Sequence, residues 1–185
     1  MLEVGVTPGL HPNEVALTYN EARAHFGSWC ITSSPLVLGL DVRNDTTLDS
    51  VWDIISNTEA LTVNSAWAGH SGTLLQEATT NVSFPYCGFV YKNGCSVAQW
   101  QVFFKPLPGG SAAFLLLNHG LSPLNSISID LTGVHGLLCG SGNMGKCYIR
   151  DVWNHTSAGT AQGGSLDFPA GLDSHDSVFY TLSPT

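Results

Sequence analysis

Charge is scarce in this chain. Only 11% of its residues are Asp, Glu, Lys or Arg, where a typical soluble domain carries about 25%. Such poverty suits either a glycosylated exported protein or a piece of something larger. Lys and Arg number six against fourteen acidic residues, giving a formal charge of −8. The few cations are scattered, which argues against nucleic acid, because phosphate recognition needs clustered Lys and Arg. Long apolar runs are also missing: none reaches the ~20 residues that a membrane helix needs, so no membrane span is expected. Seven histidines occur, but none has the spacing of paired metal ligands and no Cys–His cluster forms; no metal and no cofactor are expected. No signal peptide is expected at the N-terminus, where Met1-Leu-Glu-Val-Gly5 reads as the end of a strand.

What is present divides by periodicity. Thr18 followed by Glu21 is a capping box at a helix start. Ala22, Phe26, Trp29 and Cys30 then form one apolar stripe. Pro35 cannot continue a helix, and Leu36-Val37-Leu38 reads as a strand covered on both faces. After a loop from Asp41 to Thr46 a second helix is expected, with Leu48, Val51, Trp52 and Ile55 on one face. Ala60 to Val63 reads as a short extended exit. Helix, buried strand, helix implies a parallel α/β unit.

The periodicity changes at the Gly-rich junction Trp67-Ala-Gly-His-Ser-Gly72. Beyond it, Trp100, Val102 and Phe104 alternate with Gln101 and Phe103, and Ile127, Ile129 and Leu131 with polar neighbours. Val178, Tyr180 and Leu182 alternate again. Turn residues separate these runs, so an antiparallel, all-β second domain is predicted, a β-sandwich above all.

Several local motifs invite chemistry. Gly140-Ser-Gly-Asn-Met-Gly145-Lys146-Cys147 satisfies G-x-G-x-x-G. A phosphate loop must open a helix whose N-terminus faces the phosphate. Here Tyr148 to Trp153 reads as strand, and Cys147 stands where the magnesium-binding hydroxyl belongs; a Gly-rich hairpin loop is the better reading. Cys139 and Cys147 bracket that loop, and Cys87 and Cys95 bracket another. Local pairing is one of three connectivities open to four cysteines. Asn93-Gly94 is a two-residue hairpin signal whose register would place Cys87 opposite Trp100 instead of Cys95. Cys30, on an apolar helix face, reads as a buried free thiol. His175 and Asp176 are adjacent on a strand-like segment, so they face opposite ways and make no triad. Three glycosylation sequons, at Asn44, Asn81 and Asn154, point to export.

Four blocks within residues 1–64 occur in register with a known family. They are Met1-Leu-Glu-Val-Gly5, Glu21 to Trp29, Ser34 to Asn44, and Ile55 to Asn64. In order and spacing they resemble the last part of the (β/α)8 barrel of α-galactosidases of glycoside hydrolase family 27. The chain departs from that pattern at Ser65-Ala-Trp67, where many members carry Gln-Asp-Pro-Leu-Gly. Ala112 to Gly120, ending Asn118-His-Gly, resembles a family strand ending Asn-x-Gly. Arg150-Asp-Val-Trp153-Asn-His155 resembles the family's Arg-Asp-Leu-Trp-x-His, and Ser174-His-Asp-Ser177 its final Ser-His turn. Residues 73–98 match least.

The resemblance implies an α/β plus all-β chain. Residues 1–66 would be the last strands and helices of a TIM barrel, and residues 67–185 the C-terminal antiparallel β-sandwich. It implies hydrolysis of terminal α-galactosyl groups with retention, in carbohydrate metabolism, with an α-galactoside or related carbohydrate as partner. Retention needs two carboxylates about 5 Å apart. The family supplies both as Asp from strands that precede this stretch, so no catalytic residue is expected here and the chain alone should be inactive. Asp41 is given a loop-bracing role, and Met1 is the one substrate contact carried over. Met1 is expected to be an internal methionine of a longer protein, secreted or lysosomal/vacuolar; monomer and homodimer both stay open. The rival reading is a non-catalytic carbohydrate-binding or structural β-module, with Trp153 and Tyr91 as candidate sugar platforms.

The cysteine pattern yields a first prediction. Non-reducing peptide mapping of the exported protein should find Cys139 joined to Cys147 and Cys30 reduced. A disulfide through Cys30 would overturn the buried-thiol reading.

Overall fold

Ser111–Asn118 contains six consecutive apolar residues, and in a strand such a run must be covered on both faces. That requirement organises the architecture. The computed structural model describes residues 1–6, 16–85, 94–134, 136–137, 145–162 and 164–185. Its helices are α1 (Tyr19–Ile31), α2 (Asp45–Ile55) and α3 (Thr58–Ser65). Its strands are β1 (Thr73–Glu77), β2 (Asn81–Phe84), β3 (Cys95–Ala98), β4 (Trp100–Leu107), β5 (Ser111–Asn118), β6 (Ile127–Asp130), β7 (Cys147–Asp151), β8 (Thr156–Ala161), β9 (Ser165–Phe168) and β10 (Ser177–Pro184).

Six strands form one sheet in the order β1-β4-β5-β10-β7-β8, with β2–β3 and β6–β9 as separate pairs. Every pairing between these strands is antiparallel. Strand alternation sends Val102, Phe104, Phe114, Leu116, Tyr180 and Leu182 to one face, where they meet Ile129, Leu166 and Phe168 from β6–β9. The other face carries Phe103, Ala113, Leu115, Leu117 and Phe179 and meets Phe26, Cys30, Ile31, Ile54 and Val63 from the helices. The fold is therefore mostly β with a few helices, consistent with a β-sandwich carrying a helical layer.

Local signals explain the helices. Thr18 and Glu21 complete the expected capping box, and Ala22, Phe26 and Cys30 are buried. Asn44 caps α2 through Thr47 N, and Val51, Ile54 and Ile55 face inward, while Trp52 is 55% exposed instead of sharing that face. The extended exit read at Ala60–Val63 is in fact α3. Asn57 Oδ1 accepts from Ala60 N at 2.9 Å, an N-cap, and Ala60 and Val63 lie three apart on the buried face.

Two further expectations are corrected. Leu36–Leu38 is no buried strand: Leu38 makes one isolated parallel bridge to Leu2, and Val37 and Leu38 are 56% and 41% exposed. Its apolar run has no covering strand on either side among the described residues, whereas Phe26 and Cys30 are buried beneath the sheet's helical face. The Asn93-Gly94 register is not adopted either, because Cys95 pairs with Phe84. Asn93 itself lies outside the described residues.

Gly27 sits mid-helix, where Gly costs about 1 kcal/mol relative to Ala. A Cβ there would stand 2.9 Å from Leu115 Cδ1 and 3.1 Å from Trp153 Cζ2, so the close approach of α1 to the sheet requires it.

Lys105 on β4 is fully buried on the helical side. Its Nζ donates to Ser33 Oγ at 2.7 Å, to Asn64 O at 3.2 Å and to Val63 O. Three acceptors match the three N–H bonds of an ammonium. Val63 and Asn64 belong to the last turn of α3, where carbonyls lack helical partners and the helix dipole is negative. Burial pulls the Lys105 pKa down, opposing this charge-favouring cage.

Histidines set a pH dependence. His25 Nε2 accepts from Glu3 N at 3.2 Å, which requires that nitrogen unprotonated. Burial holds the His25 pKa below its ordinary 6.5, despite nearby Glu3. His119, next to Gln101 Oε1 at 3.1 Å, is lowered by burial and then by His175.

Two outcomes follow. Lys105→Met leaves buried carbonyls unpartnered and should cost about 3 kcal/mol in urea unfolding; a variant within about 0.5 kcal/mol of the parent would remove Lys105 from its structural role. The two histidines bind protons more weakly when folded, so they leave stability intact above pH 6.5 and erode it as pH falls below 6.5. His25→Gln combined with His119→Gln should flatten that acid-side decline; an unchanged slope would assign it to other groups.

Candidate functional site

The sequence motifs that resemble the α-galactosidase family converge where α1 and α3 meet the end of the sheet. Asn118 is buried, and its Nδ2 donates to Asp173 O at 2.8 Å and Leu172 O at 3.1 Å. Its Oδ1 accepts from Gly120 N at 2.8 Å, and Ser174 Oγ donates to Gly120 O at 2.9 Å. The Asn-x-Gly and Ser-His motifs thus bind each other, tying the exit of β5 to the entry of β10. His175 adopts φ 57° within this turn, and its ring lies 6.2 Å from Phe84.

The Arg150 to His155 motif braces the helices. Arg150 grips Glu59 bidentately, at 3.0 Å and 2.7 Å, and His155 Nδ1 lies 2.9 Å from Glu59 Oε1. The Arg150 hydrogen bonds hold the Glu59 carboxyl below its usual range. Asp151 accepts from Asn154 N at 3.0 Å and from Asn154 Nδ2 at 2.8 Å, closing the turn into β8. Trp153 donates from Nε1 to Ser177 Oγ at 3.2 Å. Arg23 lies over its ring at 5.5 Å, and Phe179 packs at 5.5 Å. Trp153 therefore packs between the layers, its ring flanked by Arg23 and Phe179, and it also lines a small cleft beside Asn154. Tyr91 lies outside the described residues.

Arg23 is the hinge of this junction. Its Nη2 donates to Ser177 O at 3.0 Å and its Nε stands 3.4 Å from Asp176 Oδ1, an ion pair without hydrogen-bond geometry. Burial raises the Asp176 pKa, against the opposing Ser177 N–H and Arg23. Tyr19, also under the Arg23 guanidinium at 5.9 Å, donates its hydroxyl to Asp53. None of these groups forms a nucleophile–base pair.

The remaining predicted residues fall apart in space or face solvent. Met1 is 72% exposed, beside the Leu2–Leu38 bridge. Asp41 accepts from Arg43 N at 3.0 Å and Arg43 Nε at 2.9 Å, a local loop brace whose hydrogen bonds lower its pKa. Asn44, Asn81 and Asn154 are all exposed. Cys30 is a buried free thiol whose pKa burial pushes up to about 12, far from a nucleophile's. Cys95 and Cys147 are disulfide-bonded; Cys87 and Cys139 lie outside the described residues. The Gly-rich loop leads from Gly145 into strand β7, not into a helix. Among the described residues no group of three His, Cys, Asp or Glu could hold a metal, and no helix is long and apolar enough to cross a membrane. The apolar cleft of about 410 Å³ between α3 and the sheet offers one carboxylate, Glu59, which Arg150 and His155 already occupy. Sequence reasoning missed Lys105, because a lysine between apolar residues on a strand gives no sign of its acceptors. It also missed Asn57, which caps α3 and whose Nδ2 donates to Val152 O at 2.9 Å; the Asn57-Thr-Glu59 start was a readable cap.

Residues 97–182 match the alpha galactosidase C-terminal beta sandwich domain. Over 185 residues the chain is 31% identical to alpha-galactosidase 3 of Arabidopsis thaliana, covering all of this chain and 34% of that protein. It is 26% identical to an alpha-galactosidase of Coffea arabica, covering 39% of it. The chain spans between 34% and 39% of the length of these and two further plant relatives. Among solved structures, the α-galactosidase of Saccharomyces cerevisiae with raffinose superposes with TM-score 0.69 at 18% identity, over 100% of this chain and 46% of that one. The fold is thus shared where identity is low. With the sandwich domain matched over residues 97–182 and these relatives aligned along its whole length, the chain corresponds to the C-terminal part of the α-galactosidases it matches.

Proposed function

We propose that this chain is the C-terminal part of a retaining α-galactosidase that removes terminal α-D-galactosyl groups. The observation that carries this reading is the coverage: relatives align along the whole chain, yet it spans only about a third of them. Residues 1–66 would then be the closing strands and helices of a (β/α)8 barrel, and residues 67–185 its sandwich. The parallel Leu2–Leu38 bridge, with Val37 and Leu38 left exposed, supports this, since barrel strands have neighbours on both sides. Met1 would lie at the sugar-facing end of such a strand, and Asp41 would brace its loop. The two carboxylates that retention requires would come from earlier barrel strands.

Export fits the same reading. The three exposed sequon residues, Asn44, Asn81 and Asn154, are proposed glycosylation sites, and Asn44 can cap α2 through Oδ1. Cys139–Cys147 and Cys87–Cys95 are the proposed disulfides.

The test is a paired assay on a chromogenic α-galactoside. The chain alone should show no turnover, and a longer product read from transcripts 5′ of the Met1 codon should hydrolyse it with retention. Activity of the chain alone that survives repurification, and is lost on mutating one of its own residues, would overturn the reading. So would transcripts that begin at Met1 with no upstream frame.

A further inference from the structure

We propose that the sandwich carries a groove that binds a neutral oligosaccharide along β8 and β9. Three clefts adjoin there. The first, of about 200 Å³, opens between the turn after β7 and residues 169–172. The second, of about 490 Å³, shares Pro169 and Tyr180 with it. The third, of about 460 Å³, shares Ala158 and Asp167 with the second. The shared residues set the three side by side along β8 and β9, and the two larger clefts have the size of small-ligand sites, about 300–1,000 Å³. A track of consecutive compartments suits a chain of similar units.

The lining selects the chemistry. Ser126, Ser128, Thr160, Gln162, Ser165 and Asp167 present hydroxyls, an amide and a carboxylate. Together they both donate and accept, as a polyhydroxylated ligand requires. Asp167 and Asp151 lie along the track, and Arg23, the cation at its end, is already paired with Asp176. With a chain charge of −8 this disfavours polyanions.

An extended peptide is the competing ligand, because among the described residues β8 is an edge strand paired with β7 alone. Its edge is poorly suited to strand addition. The β7–β8 register shifts at Ile149/Arg150, and Gly159 adopts φ 100°, which interrupts the even ladder a peptide would extend. Thr156 to Thr160 are nevertheless exposed, leaving the groove open to solvent among the described residues.

The experiment uses the full chain with disulfides intact, made without glycans because Asn154 lines the first cleft. Saturation-transfer NMR and calorimetry would be run with neutral gluco-, manno-, xylo- and galacto-oligosaccharides of one to six units. One series should bind, with affinity rising about tenfold from monosaccharide to tetrasaccharide as successive compartments fill. Asp167→Ala and Gln162→Ala, both at exposed positions, should weaken that binding while leaving the melting temperature unchanged. Four results would overturn the proposal. They are no binding of any series at about 10 mM, affinity independent of chain length, binding indifferent to both substitutions, and protection of β8 amides by a strand-forming peptide alone. The two larger clefts are lined only by residues of the sandwich, so failure of the galactosidase assay leaves each of these outcomes readable.

Discussion

Everything in the molecule depends on a sheet whose central strands are apolar on both faces. β4, β5 and β10 cannot leave either face in water, since each buried Leu or Phe is worth about 1.5–3 kcal/mol. One face is closed by β6–β9 and the other by the three helices. The helical layer is therefore part of the sandwich's own core. Phe26 and Leu115 belong to one cluster, although they come from opposite ends of the periodicity change in the sequence.

Closing that second face creates the demands that the polar residues meet. Helix α1 must come within side-chain contact of β5, and Gly27 permits it. The end of α3 must be buried against β4, and the Lys105 ammonium satisfies its last carbonyls from beneath. The start of α3 is held from the other side, by Asn57 to Val152 O and by Glu59 to Arg150. The Arg150 to His155 motif is thus a brace between layers, and the Asn-x-Gly and Ser-His motifs are a brace within the sheet.

The same argument separates the two exposed features from the core. Among the described residues, Val37 and Leu38 form an apolar run that is 56% and 41% exposed, held by one parallel bridge to Leu2. The groove along β8 and β9 is polar instead, so it has no need of a protein cover and can stay open to a soluble ligand.

Where a signal lies within one turn or one strand, the sequence by itself determined the outcome. The Thr18–Glu21 box, the alternation at Val102 and Phe104, and the burial of Cys30 are of this kind, because short-range hydrogen bonding and side-chain period decide them. The α3 cap at Asn57 is equally local. Tertiary structure alone decided which apolar run is buried on both faces. Leu36–Leu38 and Ala112–Leu117 look alike as strings, but only the second has layers on each side. It also decided the Phe84–Cys95 register over the tighter Asn93-Gly94 alternative and the cage around Lys105. Each of these depends on groups brought together from distant parts of the chain, and no local pattern records which faces will meet.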